Sequence, residues 1–105
     1  TGNLEASVRA VEVVDYCVAE LVKKFSARGG TVLITADHGN VEEVVNLQSG
    51  EIDTEHSINP VPLMIIDSNL PARMLPYGAL KDIAPTILNI MGIPIPAEMT
   101  GKSLI

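Results

Sequence analysis

Apolar side chains recur at every third or fourth position over the first part of the chain. They are Leu4, Val8, Val11, Val14, Val18, Leu21, Val22 and Phe25. Because an α-helix turns once in 3.6 residues, this spacing places them on one stripe and predicts a long amphipathic helix. Asn3 is suited to cap its start, and Gly29 with Gly30 to end it. We expect the stripe to pack in a core.

Two apolar runs without helical spacing predict β-strands. TVLITA, residues 31–36, is rich in β-branched side chains and lies between glycines and an Asp-His-Gly turn, which is typical of a strand buried on both faces. The second run, in PVPLMII, predicts a strand over residues 61–66 with Pro60 and Pro62 at its start. A helix followed by such strands favours an α/β fold.

The remaining segments predict one further helix and a loop. After Asn40, the stretch VEEVVN is compatible with one or two helical turns, whereas residues 47–59 have no periodicity, as in many functional loops. Pro85 is expected in the first turn of the second helix, or at a kink. That helix is indicated by apolar residues at helical spacing, followed by Gly92: Leu80, Ile83, Ala84, Ile87, Leu88 and Met91.

Composition narrows the class of protein. A chain of 105 residues with 47% hydrophobic and 19% charged residues fits one small globular domain. Its net charge of −6 disfavours a nucleic acid or an anionic membrane as partner and suits a divalent cation. No apolar run is long enough to span a membrane, so we expect a cytoplasmic protein. The single cysteine, Cys17, implies no internal disulfide, and we expect it to be a small buried hydrophobe.

Asp37 and His38 are the candidate functional residues. They follow the first predicted strand, where ligands bind in α/β sheets, and Gly39 permits close approach of the backbone. Carboxylate oxygen and imidazole nitrogen are ligands of Mn²⁺ and Zn²⁺. His56, the only other histidine, lies in the loop before the second strand and is a candidate third ligand. Two interpretations remain open, a metal site or an ordinary turn closing a strand.

Other acidic and hydroxyl side chains close in sequence to these residues are weaker candidates for a functional role. Glu42 and Glu43 are typical of a solvated helix face, and Ser57 beside His56 is not a convincing nucleophile. The chain has no HExxH, CxxC or GxGxxG motif, no Walker loop and no GxSxG elbow.

Four sequence motifs follow one another along the chain: TADHGN, HSINPVP, DIAPTIL and PAEMTGKSL. Together they resemble the C-terminal end of the cofactor-independent (2,3-bisphosphoglycerate-independent) phosphoglycerate mutases, which belong to the alkaline phosphatase superfamily. The resemblance covers essentially the whole chain. It implies that residues 1–105 form the C-terminal portion of a metal-binding, phosphatase-like domain with three α/β/α layers. Such enzymes interconvert 3-phosphoglycerate and 2-phosphoglycerate through a phosphoserine intermediate at two Mn²⁺ or Mg²⁺ ions.

By the same resemblance, Asp37 and His38 are ligands of the metal that activates the serine, and His56 is a ligand of the other metal. The nucleophilic serine and the remaining ligands are expected upstream of these residues, so we expect no catalytic residue and no mutase activity in this chain by itself. We also expect it to bind metal weakly and to self-associate through exposed apolar surface.

Two alternatives to the mutase remain. Another member of the superfamily, such as a phosphopentomutase, a phosphodiesterase or a sulfatase, shares the Asp-His-Gly word and a later histidine. A non-catalytic α/β interaction module would use Asp37 and His38 only to close a strand. The sequence motifs NPVP and EMTGKSL favour the mutase.

Overall fold

The computed structural model describes residues 3–40, 42 and 56–105. The chain divides into two compact units, Thr1–Leu70 and Pro71–Ile105, here called the N-terminal and C-terminal units. Most of the segment VEEVVN and of the predicted loop over residues 47–59 lies outside the described residues.

Helix α1, Leu4–Ser26, opens the N-terminal unit as predicted. The side chain of Asn3 accepts a hydrogen bond from the backbone N–H of Ala6 at 3.1 Å, which satisfies one of the free donors of the first turn. Lys23 and Lys24 lie in the last turn, where positive charge complements the helix dipole. After the helix, Gly29 adopts a φ of 72°, a left-handed conformation suited to glycine.

The predicted burial of the α1 stripe is wrong. No residue of this helix is buried; Val11 and Phe25, for example, keep 50% and 58% of their surface exposed. Cys17 is exposed as well, which contradicts its prediction as a buried hydrophobe. Helix α1 contacts the first strand, but a strand of three residues spans about 10 Å and a helix of 23 residues about 34 Å. The strand is too short to cover the stripe.

Two short strands, β1 (Val32–Ile34) and β2 (Met64–Ile66), pair antiparallel. Leu33 pairs with Ile65 at the centre of the ladder. Both strands lie inside the predicted runs but are shorter. The residues of β1 are half-buried, not fully buried on both faces as predicted, because among the described residues β2 is the one strand that pairs with β1. Beside the ladder, the hydroxyl of Thr31 donates to the carboxylate of Asp67 and joins the two strand ends.

The C-terminal unit is organised around helix α2, Ile83–Ile90, which continues from a 3-10 turn at Leu80–Asp82. Pro85 lies in the first turn of α2, as predicted, and is fully buried. The buried carboxylate of Asp82 accepts the backbone N–H of Ala79 at 2.8 Å and that of Lys102 at 2.9 Å. These bonds tie the end of the chain to the start of α2.

The α/β fold class predicted from the sequence is confirmed by two helices and a small sheet, together with the family match given below. None of the helices described here is long and apolar enough to cross a membrane.

Candidate metal centre

In the residues that the structure describes, one backbone bridge joins the two segments that carry the candidate ligands. Gly39, which follows Asp37 and His38, forms an isolated antiparallel bridge with Ser57, and the N–H of Ser57 donates to the carbonyl of Gly39 at 3.0 Å. Each bridged residue directly follows a histidine. The bridge therefore brings the segment after β1 and the segment before β2 side by side.

The two histidines stack on one another. The ring centroids of His38 and His56 lie 3.8 Å apart, with 25° between the ring planes. Asp37 lies beside them, with its carboxylate Oδ2 3.6 Å from Nε2 of His38. Asp37 and His38 are both exposed, in keeping with a site that solvent can reach. The structure thus brings His56 against His38 and Asp37 beside His38.

The donor atoms of Asp37 and His38 fit one metal ion. Nδ1 of His38 lies 3.1 Å from the carbonyl oxygen of Gly39, so an N–H at Nδ1 donates there and leaves the lone pair of Nε2 for a metal. Two neighbouring ligand atoms with metal bonds of about 2.1 Å lie roughly 3.4 Å apart around a tetrahedral ion and roughly 3.0 Å apart around an octahedral ion. The separation of 3.6 Å between Oδ2 and Nε2 is close to the tetrahedral value and longer than the octahedral value, so an octahedral ion would draw the two side chains closer together.

The stacking of the rings favours two ions over one shared ion. The lone pair of an imidazole nitrogen lies in the ring plane, and the planes of His38 and His56 run nearly side by side. Each ring would therefore ligate an ion in its own plane, and the ions of two-metal sites are roughly 3.5–4 Å apart. In the described part of the chain, no group of three or more His, Cys, Asp or Glu side chains is arranged to hold one ion.

Glu42 is the functional candidate that sequence reasoning missed. Its side chain is exposed, as expected of a solvated face, but its carboxylate accepts the backbone N–H of Asn40 at 2.8 Å and the hydroxyl of Ser57. The hydrogen bond from Ser57, followed by backbone hydrogen bonds, lowers the pKa of Glu42 to about 2. No spacing rule pairs Glu42 with a serine 15 residues further along the chain, so the sequence held no signal for this contact.

The class of protein is shown by comparison of the sequence with known families. The sequence profile of the metalloenzyme superfamily covers residues 1–95, and the chain belongs to that superfamily.

More specific similarity is to phosphoglycerate mutases. The chain is 49% identical over 105 residues to the 2,3-bisphosphoglycerate-independent phosphoglycerate mutase of Desulforudis audaxviator, and 51% identical to that of Laribacter hongkongensis. It is 50% identical to the 2,3-bisphosphoglycerate-independent phosphoglycerate mutase 2 of Methanosarcina barkeri. All of this chain is matched in each case, but only 20% of the relative. The predicted resemblance is confirmed, and the chain spans about a fifth of the length of these relatives.

Proposed function

We propose that this chain provides metal ligands to a cofactor-independent phosphoglycerate mutase, which interconverts 3-phosphoglycerate and 2-phosphoglycerate in glycolysis and gluconeogenesis. The observation that carries the proposal is the stacked pair His38 and His56 with Asp37 beside it. The identity of about half of the residues to enzymes with this name supports it.

In this proposal Asp37 and His38 hold one ion and His56 holds a second, each being Mn²⁺ or Mg²⁺. When bound, the ions neutralise charge on the phosphoryl group in transfer. The carbonyl of Gly39 keeps the proton of His38 on Nδ1, so that Nε2 is the ligating nitrogen. Residues 1–105 act as one portion of a phosphatase-like domain, and the nucleophilic serine, which carries the phosphoserine intermediate, and the remaining metal ligands come from outside them.

We further propose that the enzyme works in the cytoplasm, without a nucleic-acid or membrane partner. The net charge of −6 on this chain disfavours an anionic partner of that kind. The main alternative to the mutase is a different metalloenzyme of the same superfamily, because it would share the Asp-His-Gly motif and a later histidine.

The proposal can be tested in a hybrid enzyme, in which this chain replaces the matching 105 residues of the Desulforudis audaxviator mutase. We expect the hybrid to convert 3-phosphoglycerate without added bisphosphoglycerate, to lose activity to a chelator and to regain it with Mn²⁺. Asp37→Ala, His38→Ala and His56→Ala should each abolish turnover and leave the circular dichroism spectrum unchanged, since these side chains lie at the surface.

Glu12→Gln, on the exposed face of α1, is the control and should remain active. Near-normal turnover in any one of the three alanine variants would remove that residue from the site. A folded hybrid that binds Mn²⁺ but does not act on 3-phosphoglycerate would favour a different enzyme of the superfamily.

A further inference from the structure

Glu42 accepts hydrogen bonds from both segments that carry the candidate ligands. Oε2 accepts the backbone N–H of Asn40, on the segment that follows Asp37 and His38. Oε1 accepts the hydroxyl of Ser57 and, at 3.5 Å, the side-chain amide of Asn59, both on the segment that begins with His56. One carboxylate therefore joins the two segments.

In the described part of the chain, backbone contacts give this junction little support. Gly39 and Ser57 form one isolated bridge, not part of the β1–β2 ladder, and the N–H of Ser57 makes its hydrogen bond there. The hydroxyl of Ser57 also accepts the N–H of Asn59 at 3.4 Å, so it links the carboxylate to the turn after His56. Hydrogen bonds to a carboxylate are stronger than those between neutral groups, so among the described residues Glu42 connects the segments more strongly than the backbone bridge does.

Gly39 shows how closely the carboxylate is packed. A Cβ atom at this position would collide with the carboxylate of Glu42 and with Oγ of Ser57. Neither contact leaves room for a methyl group. The absence of a side chain at residue 39 is therefore a condition for the contact between Glu42 and Ser57.

We propose that Glu42 is a positioning residue of the metal centre, which holds the segment of Asp37 and His38 against the segment of His56 so that the two imidazoles stay stacked. The inference rests on the proposed metal site. Glu42 acts through the histidines and does not ligate metal itself. Its pKa of about 2 keeps the carboxylate ionised, and thus an acceptor on both oxygens, throughout the neutral range.

The stacking itself can be measured in the 105-residue chain, because it contains only two histidines. We expect a nuclear Overhauser effect between the ring protons of His38 and His56. Glu42→Ala should reduce it at least fivefold, and Gly39→Ala should do the same by displacing the carboxylate. Glu42→Gln should be intermediate, since it retains one acceptor oxygen, and Glu12→Gln should have no effect.

The consequence for metal binding is measured in the hybrid enzyme. Loss of a residue that orients metal ligands typically weakens affinity by about 10–100-fold, and we expect Glu42→Ala to raise the Kd for Mn²⁺ by that factor in electron paramagnetic resonance titrations. Saturating Mn²⁺ should restore kcat with an unchanged KM for 3-phosphoglycerate, which a general loss of folding would not allow. If Glu42→Ala does not fold, Ser57→Ala and Glu42→Gln replace it.

The proposal is overturned if the unsubstituted chain lacks the effect between the two rings. It is also overturned if Glu42→Ala leaves both that effect and the Kd within twofold of their original values. A hybrid without mutase activity, in which the ring contact still depends on Glu42, would reject the proposed function and leave the positioning role in place.

Discussion

In the C-terminal unit, two buried polar side chains fix the position of residues 102–104. Thr86 is fully buried; its hydroxyl donates to the carbonyl of Asp82 at 2.7 Å and accepts the N–H of Leu104 at 3.1 Å. Asp82 accepts the N–H of Lys102. Because buried polar groups are costly without partners, these two side chains specify where the last residues lie.

Asp82 should also make stability depend on pH. The backbone N–H groups of Ala79 and Lys102 lower the pKa of its carboxyl below 3.8 in the folded chain. A carboxyl group whose pKa is lower in the folded chain stabilises the fold at pH values above its pKa in the unfolded chain. This stabilisation is lost as the pH falls through the pKa of the group in the folded chain. We therefore expect Asp82→Asn, whose side chain cannot accept both N–H groups, to lower Tm at pH 7. The difference in Tm between this variant and the original chain should become smaller below about pH 4.

Melting curves followed by circular dichroism between pH 2.5 and 7 check this prediction. Asp15→Asn, on the exposed surface of α1, is the matched control and should leave Tm unchanged at pH 7. A difference between Asp82→Asn and the original chain that stays constant down to pH 2.5 would contradict the assigned role.

At the scale of the elements, α1 combines a well-formed helix with an uncovered apolar stripe. The cap at Asn3 and the charges in its end turns stabilise the helix locally. Val18 and Val22 on the stripe are half-buried, whereas Val14 and Leu21 on the same stripe are 60% and 54% exposed. A contiguous apolar surface of this kind favours association.

We expect the 105-residue chain to self-associate through this stripe, with Val14→Lys weakening the association about tenfold or more, because a charge at the contact must lose its hydration. Val13→Lys is a close control. This substitution introduces the same charge on the same helix, at a residue that is 63% exposed. Val13, however, lies off the stripe. Sedimentation equilibrium measures both variants. Equal effects of the two substitutions, or a strictly monomeric original chain, would reject the stripe as the contact.

At the scale of the whole molecule, the number of proposed ligands determines which activity we expect of this chain. Asp37, His38 and His56 are three candidate ligands for two ions, whereas Zn²⁺ and Mn²⁺ sites in proteins generally use at least three protein ligands per ion. Ligand loss lowers affinity steeply, and phosphoryl transfer through an enzyme nucleophile requires that nucleophile. We therefore expect a complete centre to need ligands and a nucleophile beyond these three side chains.

The isolated chain is thus expected to show no mutase activity and to bind at most one Mn²⁺ ion weakly. Turnover of 3-phosphoglycerate without bisphosphoglycerate and titration calorimetry with Mn²⁺ measure the two properties, and His38→Ala should remove the remaining binding. Two ions bound with micromolar affinity, or catalysis above the background rate, would show that the missing ligands have been assigned to the wrong part of the protein.

Much of the local structure follows from the sequence by itself. Helix α1 begins after Asn3, Pro85 lies in the first turn of α2, and both strands lie within the predicted apolar runs. The position of Asp37 and His38 just beyond β1 was also predictable. These features depend on periodicity, capping and turn chemistry, which act between residues a few positions apart.

Only the tertiary structure decided which side chains are covered and which distant groups meet. The exposure of Cys17 and of the α1 stripe reflects how little of the described chain packs on that helix. The contact of Glu42 with Ser57 joins residues 15 positions apart, that of Asp82 with Lys102 joins residues 20 apart, and that of Thr31 with Asp67 joins residues 36 apart. Such pairings depend on the path of the backbone in space, which a pattern of apolar and polar residues along one chain does not encode.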